Sequence, residues 1–287
     1  MEKNVHNRYQ QFIRDKRYLT SVTPATVEWY ERCLKWLPSE SPTQTELRDM
    51  VTRMREKGLM ETGVNSVIRC VNSYLHWTSG SDRKCGAGCT HLRVQQLKEP
   101  KLLLPTFTEK QIKLLLSARP KDEYGQRIQL LTLFLLDTGC RISEALTLRM
   151  VDIDFDNLLV KLDGKGRQQR VVPFSHEMRK SIFRFQKNTT PDSRLFSTKT
   201  GTLWNRRNVL RDMKLHCKKL GFTPPGRTIH AFRHTFSVNY LRQGGSVFHL
   251  QKILGHSTLE MTRRYANLMT SDLQDVHERL SILNGGR

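Results

Sequence analysis

The stretch "HAFRHTFSVNYLRQGGSVFHLQKILGHSTLEMTRRYANL", residues 230–268, packs four histidines, four arginines and two tyrosines into fewer than forty residues. Such a run could be a metal site, a basic surface or a catalytic cluster. His230 and His234 stand at i and i+4, on one face of a helix, as zinc-protease histidines do. The residue after His230 is Ala231, however, not the glutamate that would serve as general base, and no carboxylate follows until Glu260. That argues against a metalloprotease. A plain DNA-reading helix, with Arg233 and His234 on phosphates, suits the composition. It leaves two features unexplained: the Gly255-His256 turn, which presents an imidazole between two helices, and Tyr265, nine residues on, beside Arg263 and Arg264.

Outward from this run, the charge is the strongest bulk signal. Forty-eight Lys and Arg against 27 Asp and Glu leave +21 over 287 residues. A field of that sign attracts polyanions, and nucleic acid is the commonest of them. Residues 1–98 hold 16 basic and 10 acidic groups, and residues 99–287 hold 32 and 17, so both parts suit a phosphate partner. The hydrophobic share of 37% is that of a folded protein rather than a disordered one. The opening "MEKNVHNRYQQFIRDKRY" has no apolar signal core, and the longest apolar run, "IQLLTLFLLD" at 128–137, is too short to span a bilayer. The expectation is a cytoplasmic protein, with most of its six scattered cysteines free thiols.

The first hundred residues read as four amphipathic helices. "TPATVEWYERCLKWLP" opens on Thr23 as N-cap with Pro24 behind it, and "TQTELRDMVTRMREKG" closes on Gly58. In "TGVNSVIRCVNSYLHWTSG", Val64, Val67, Ile68, Val71, Tyr74 and Leu75 share one side. This predicts a small helical bundle over residues 1–90 and a linker at 91–106, where glycine, serine, charge and proline break the pattern. Cys85, Cys89 and His91, with His76 upstream, could hold zinc. The C-x3-C spacing and the lack of a second pair favour free thiols in a glycine loop instead. Residues 107–287 begin with a helix opening on Thr108, then a buried helix ending at Gly139 and a short one with Ser143 near its cap. "NLLVKLDGKGRQQRVVPFS" alternates like two strands joined by a Gly-rich turn at 163–166, and helices dominate from Ser175 onward. The fold class expected is mainly α with a small β-sheet, in two domains.

Two residues join the opening cluster. Arg141, in "DTGCRISEAL", sits between two helices and either pairs with Glu144 or points into a cleft. Lys165 stands at the tip of the hairpin turn, where glycines let a loop bring an ammonium inward.

The run "TGCRISEAL … GKGRQQRVVP … HAFRHTF … LGHSTLEMTRRYANL" resembles the tyrosine recombinases of the phage-integrase type, over roughly residues 107–287 and in the family's order. The first hundred residues are similar in kind, loosely, to that family's DNA-clamping core-binding domain. The resemblance implies an α+β catalytic domain with Arg141, Lys165, His230, Arg233, His256 and Tyr265 as its active site, Tyr265 being the nucleophile. It also implies that Glu144 supports the first arginine. The function implied is site-specific cleavage and rejoining of double-stranded DNA through a covalent 3′-phosphotyrosine, in integration, excision, transposition or related recombination. Recombination of this kind uses four protomers. The stripe Leu273, Val276, Leu280 and Leu283 would then dock on a neighbour, the plainer reading being that it packs on its own domain. The Cys85–His91 segment is no part of the pattern.

The chemistry suits the residues. A phenol with a pKa near ~10 is a poor nucleophile at neutral pH without help. Two guanidiniums can hold the non-bridging oxygens of one phosphate, and losing one such clamp would cost ~2.7–4 kcal/mol by analogy with lost oxyanion donors. Lys165 is the candidate general acid for the leaving 5′ oxygen. His230 and His256 would bond the phosphate or assist at Tyr265, and His234 would orient the cluster. With this much fixed positive charge the reading needs no metal, and there is no P-loop pointing to a nucleotide cofactor. The rivals are a type IB topoisomerase, which needs no partner site, and a non-enzymatic DNA-binding regulator, for which Tyr265 would have no use.

Overall fold

The structure, a computed structural model, describes residues 5–80, 92–100, 104–164, 169–185, 190–198, 201–266 and 277. The chain divides into two compact units, Met1–Leu102 and Leu103–Arg287.

The first unit is built from helices α1 (Val5–Tyr18), α2 (Pro24–Leu34), α3 (Gln44–Glu56) and α4 (Glu61–Thr78). Their starts follow from capping. Thr23 accepts from the Thr26 N–H with Pro24 in the first turn of α2, and Thr43 and Glu46 form a reciprocal capping box on α3. Phe12, Leu47, Met50, Met54, Val64, Ile68, Val71 and Tyr74 are shut off from solvent in its core. Phe12 meets both Tyr30 and Tyr74 edge-on, at 5.0 and 5.4 Å between ring centres.

Residues 92–99 are strapped onto α4 by two asparagines. Asn72 donates to the Val94 carbonyl and accepts from the Val94 N–H, both at 2.9 Å. Asn65 makes the same pair with Leu97, at 2.8 and 2.7 Å. Seven helical residues rise about 10.5 Å, and three residues of extended chain cover about 10 Å. The two amides therefore match every third backbone position of the strap. What the sequence assigned wholly to a linker begins as an ordered segment of the first unit.

The second unit holds α5 (Glu109–Ser117), α6 (Glu123–Thr138), α7 (Ile142–Thr147), a 3-10 turn (Met150–Asp152) and strands β1 (Ile153–Asp154), β2 (Leu159–Asp163) and β3 (Gln169–Pro173). These are followed by α8 (His176–Phe185), α9 (Arg206–Lys219), α10 (Thr228–Arg242), α11 (Val247–Leu254) and α12 (Leu259–Ala266). The strands form one antiparallel sheet in the order β1-β2-β3, with Val160 opposite Val172 and Leu162 opposite Arg170. The two-residue β1 is an addition to the expected hairpin, too short to show in the sequence. Helix α6 runs through the core, its Leu131 and Phe134 fully buried along with Phe232 of α10. Mainly α with a small sheet is thus the observed class. Among the described residues, no helix is long and apolar enough to cross a membrane, and Cys33, Cys70, Cys140 and Cys217 are buried free thiols.

The N-cap of α7 is Arg141, two residues before Ser143, because Glu144 reaches back to the Arg141 backbone N–H at 2.7 Å. A hydroxyl at 143 is inside the helix by then.

Candidate active site

Two helices of the second unit end on a left-handed glycine, and both ends face the same arginine. Gly139 (φ +61°) closes α6 and Gly255 (φ +62°) closes α11. Neither tolerates a side chain. A Cβ on Gly139 would collide with the Phe236 ring, and one on Gly255 would lie 2.9 Å from Cδ of Arg170. The carbonyls left over at these ends carry the negative pole of their helices. Arg233, on α10, donates Nη1 to the Gly139 oxygen at 2.9 Å and Nη2 to the Leu254 oxygen at 2.6 Å. Its guanidinium is buried and fixed, and burial, then the charge of Arg141, lowers its pKa to about 10. It remains protonated at neutral pH.

Arg141 follows directly on the α6 terminus. Its Nη1 donates to Glu144 Oε1 at 2.9 Å, so of the two options for this residue the pairing is the one observed, and the side chain is still 35% exposed. Burial alone would raise the Glu144 carboxyl. Hydrogen bonds from Arg170 and Arg141 outweigh that and hold it below the usual carboxylate range.

Arg170 is the residue that sequence reasoning passed over. It donates Nη1 and Nη2 to the two oxygens of Glu144, at 2.8 and 2.7 Å, and Nε to the Ile253 carbonyl at 2.8 Å. A signal for it existed. Alternate strand residues share a face, so Arg170 sits on the side of the fully buried Val172, opposite the buried Leu162. A cation on a buried face requires a partner.

Tyr265, on α12, is 4% exposed and packs with Val238, Leu241, Leu250 and Leu254. Its hydroxyl lies 3.0 Å from His234 Nδ1. His234 is on the same helix as Arg233, so one helix carries both the buried guanidinium and the partner of the Tyr265 hydroxyl. His256, one residue past the Gly255 turn, stacks on the Tyr265 ring with centres 6.3 Å apart and planes at 8°. Its Nδ1 is 2.9 Å from the hydroxyl of the fully buried Thr262, a second partner not seen in the sequence. His230 is exposed at the rim, its ring centre 6.4 Å from that of His234.

All three histidines are held neutral. His234 and His256 are each lowered to about 4, by burial first, then by His230 and Arg233 for the former and by Arg233 and Arg141 for the latter. His230 is lowered too, by partial desolvation and then by Arg206 and Arg227. Arg141, Arg233, His230, His256 and Tyr265 thus gather around the ends of α6 and α11 and the start of α10. Lys165 lies outside the described residues, as do Cys85, Cys89, His91 and the leucine stripe after residue 270. No group of three His, Cys, Asp or Glu side chains able to hold a metal occurs among the described residues.

Guanidiniums fixed by hydrogen bonds, imidazoles whose charged form is disfavoured and a tethered phenol are thus gathered in one place, a set of groups able to hold an anion beside a hydroxyl. The phage integrase family model matches residues 105–271, more than half of the chain and all of these side chains. The chain belongs to the phage integrase family. It is accordingly a tyrosine recombinase, an enzyme of site-specific DNA recombination. The tyrosine recombinase XerA of Pyrococcus furiosus is 27% identical over 248 residues, 85% of this chain and 82% of that protein. XerA of Saccharolobus solfataricus is 29% identical over 271 residues, 93% of this chain and 83% of that one. The fold is that of the Tn1549 transposon integrase, solved in complex with transposon right end DNA. The TM-score is 0.75 at 23% identity, over 96% of this chain and 99% of that one.

Proposed function

We propose that this recombinase cuts a DNA strand at a specific double-stranded site by attack of Tyr265 on the scissile phosphorus. The covalent 3′-phosphotyrosine releases a 5′ hydroxyl, and a second 5′ hydroxyl reverses the step to rejoin strands. The observation that carries the reading is the Tyr265 hydroxyl held by His234 of α10, the helix that fixes Arg233.

Arg141 and Arg233 take the non-bridging phosphate oxygens and stabilise the added charge of the transition state. Arg141 has the exposed face for this, and Arg233 is locked in place with N–H groups beyond the two it gives to carbonyls. His234, neutral, shares a proton with the Tyr265 hydroxyl and keeps the phenol oriented. His256 and His230, also neutral, can bond the phosphate or carry the proton away. Lys165 is the acid that protonates the leaving 5′ oxygen. The helical unit at 1–90 grips DNA through its own positive charge, and the second unit, 107–287, carries out the chemistry. The active assembly is a tetramer on DNA, formed through the C-terminal segment, and the biological role is movement or resolution of a mobile element or a related exchange. Such work places the protein in the cytoplasm, with the DNA.

The test is covalent capture. Protein is mixed with fragmented DNA from its source, denatured in detergent, and the attached DNA is sequenced, with Tyr265→Phe alongside. Tyrosine-dependent adducts at one recurring sequence are expected. Adducts spread over all sequences would instead fit a topoisomerase, and tight binding without adducts a regulator.

A further inference from the structure

We propose that Arg170 is a positioning residue of the cleavage centre. Through Glu144 it limits how Arg141 is held, and through the Ile253 carbonyl it fixes the turn that carries His256. This rests on the reading of the site given above.

A carboxylate offers about four lone-pair sites, and Glu144 has four donors. Oε1 receives Nη1 of Arg141 at 2.9 Å and Nη1 of Arg170 at 2.8 Å. Oε2 receives the Arg141 backbone N–H and Nη2 of Arg170, both at 2.7 Å. Arg170 holds the bidentate position, so Arg141 keeps one end-on side-chain bond and presents its remaining N–H groups outward.

Exposure separates the two arginines. The Arg141 side chain is 35% exposed, that of Arg170 is 11% and that of Glu144 is 3%. Arg170 commits three donors inward and is built to hold rather than to reach DNA. Without it, two lone pairs of a buried carboxylate lose their donors. The nearest cation able to replace them is Arg141, which would swing to chelate Glu144 and withdraw from the phosphate.

The third bond extends the effect. Ile253 precedes Leu254, whose carbonyl is held by Arg233, and the two positions after that are Gly255 and His256. The bare face of Gly255 lies against the Arg170 side chain. One guanidinium thereby links strand β3, the helix start that carries Arg141 and the turn that carries His256.

The test uses the full chain on a nicked duplex bearing the sequence recovered by covalent capture, with Arg170→Ala, Glu144→Gln, the double variant and Arg170→Lys. Arg170→Ala should slow adduct formation at saturating protein about 100-fold, the scale of a small misplacement of catalytic groups. Its Kd should stay within about threefold, since the loss falls on the chemical step. Adding Glu144→Gln to Arg170→Ala should restore part of the rate, because a neutral amide draws Arg141 less strongly. If Arg170→Ala does not fold, Arg170→Lys keeps the charge without the fork and should still be slowed about tenfold or more. A fall of about one unit in the salt slope of binding would mean that Arg170 contacts phosphate itself, and would overturn the inference. So would additive losses in the double variant, or Arg170→Lys at full wild-type rate. Failure of the wild-type protein to form adducts would refute the underlying reading instead, which separates the two.

Discussion

Gly255→Ala tests the packing of the α11 terminus against Arg170. An L-residue in the left-handed conformation costs about 1–2 kcal/mol. The new Cβ would also lie 2.9, 3.2 and 3.3 Å from Cδ, Nε and Nη1 of Arg170. That side chain cannot turn aside freely, because three hydrogen bonds at 2.7–2.8 Å pin it. Loosening one charged bond over a buried partner adds about 1.5–3 kcal/mol. Gly244→Ala is the control, with the same left-handed backbone (φ +85°) and nothing within 4 Å of its Cβ. Gly255→Ala should therefore lose about 2.5–5 kcal/mol and Gly244→Ala about 1–2, read from urea midpoints at equal m-value. In Tm the excess over the control is about 2–4 °C per kcal/mol for a unit of this size. Equal losses would show that Arg170 yields at no cost, and would refute the claim that the turn and the guanidinium are packed as a unit.

The histidines predict a pH dependence. His234 and His256 titrate at about 4 in the folded chain against 6.5 when unperturbed. Between those values the unfolded state binds more protons, so their contribution is fully present above about pH 6.5 and is lost as pH falls toward 4. Urea midpoints should decline over that window and flatten in a His234→Gln, His256→Gln variant; an unchanged slope would contradict the shifts. A DNA phosphodiester reverses the sign locally, since an anion beside the imidazoles raises their pKa. Calorimetry in buffers of different ionisation enthalpy at about pH 5.5 should show proton uptake on binding, and proton release would contradict it. Asn72→Ala should strip hydrogen-exchange protection from the Val94 amide while leaving α2 and α3 protected, whereas full retention would mean that the strap is held by other contacts.

Local rules made much of this legible. Caps and glycines marked the helices because each acts within one turn, and the Arg141–Glu144 pair was visible as an i, i+3 contact. Alternation in 157–175 disclosed the hairpin, since burial on one face imposes a period of two. Arg170 and Thr262 stayed hidden for the opposite reason. The partner of Arg170 is 26 residues away in another element, and Thr262 matters only because the Gly255 turn brings His256 back over α12. The strap at 92–99 read as linker because an extended segment held by two asparagines has no apolar period of its own. His234 was assigned an orienting role, and its bond to the Tyr265 hydroxyl shows what it touches; no spacing rule could reveal which histidine that hydroxyl would meet.

The bond proposed between Tyr265 and DNA can be read directly by trapping the adduct, digesting it with nuclease and trypsin, and locating the nucleotide remnant by mass spectrometry. The remnant should lie on the peptide that begins at Tyr265, joined through the tyrosine oxygen to a 3′ phosphate, and be missing from Tyr265→Phe. A remnant on any other residue, or one that survives that substitution, would contradict the proposal.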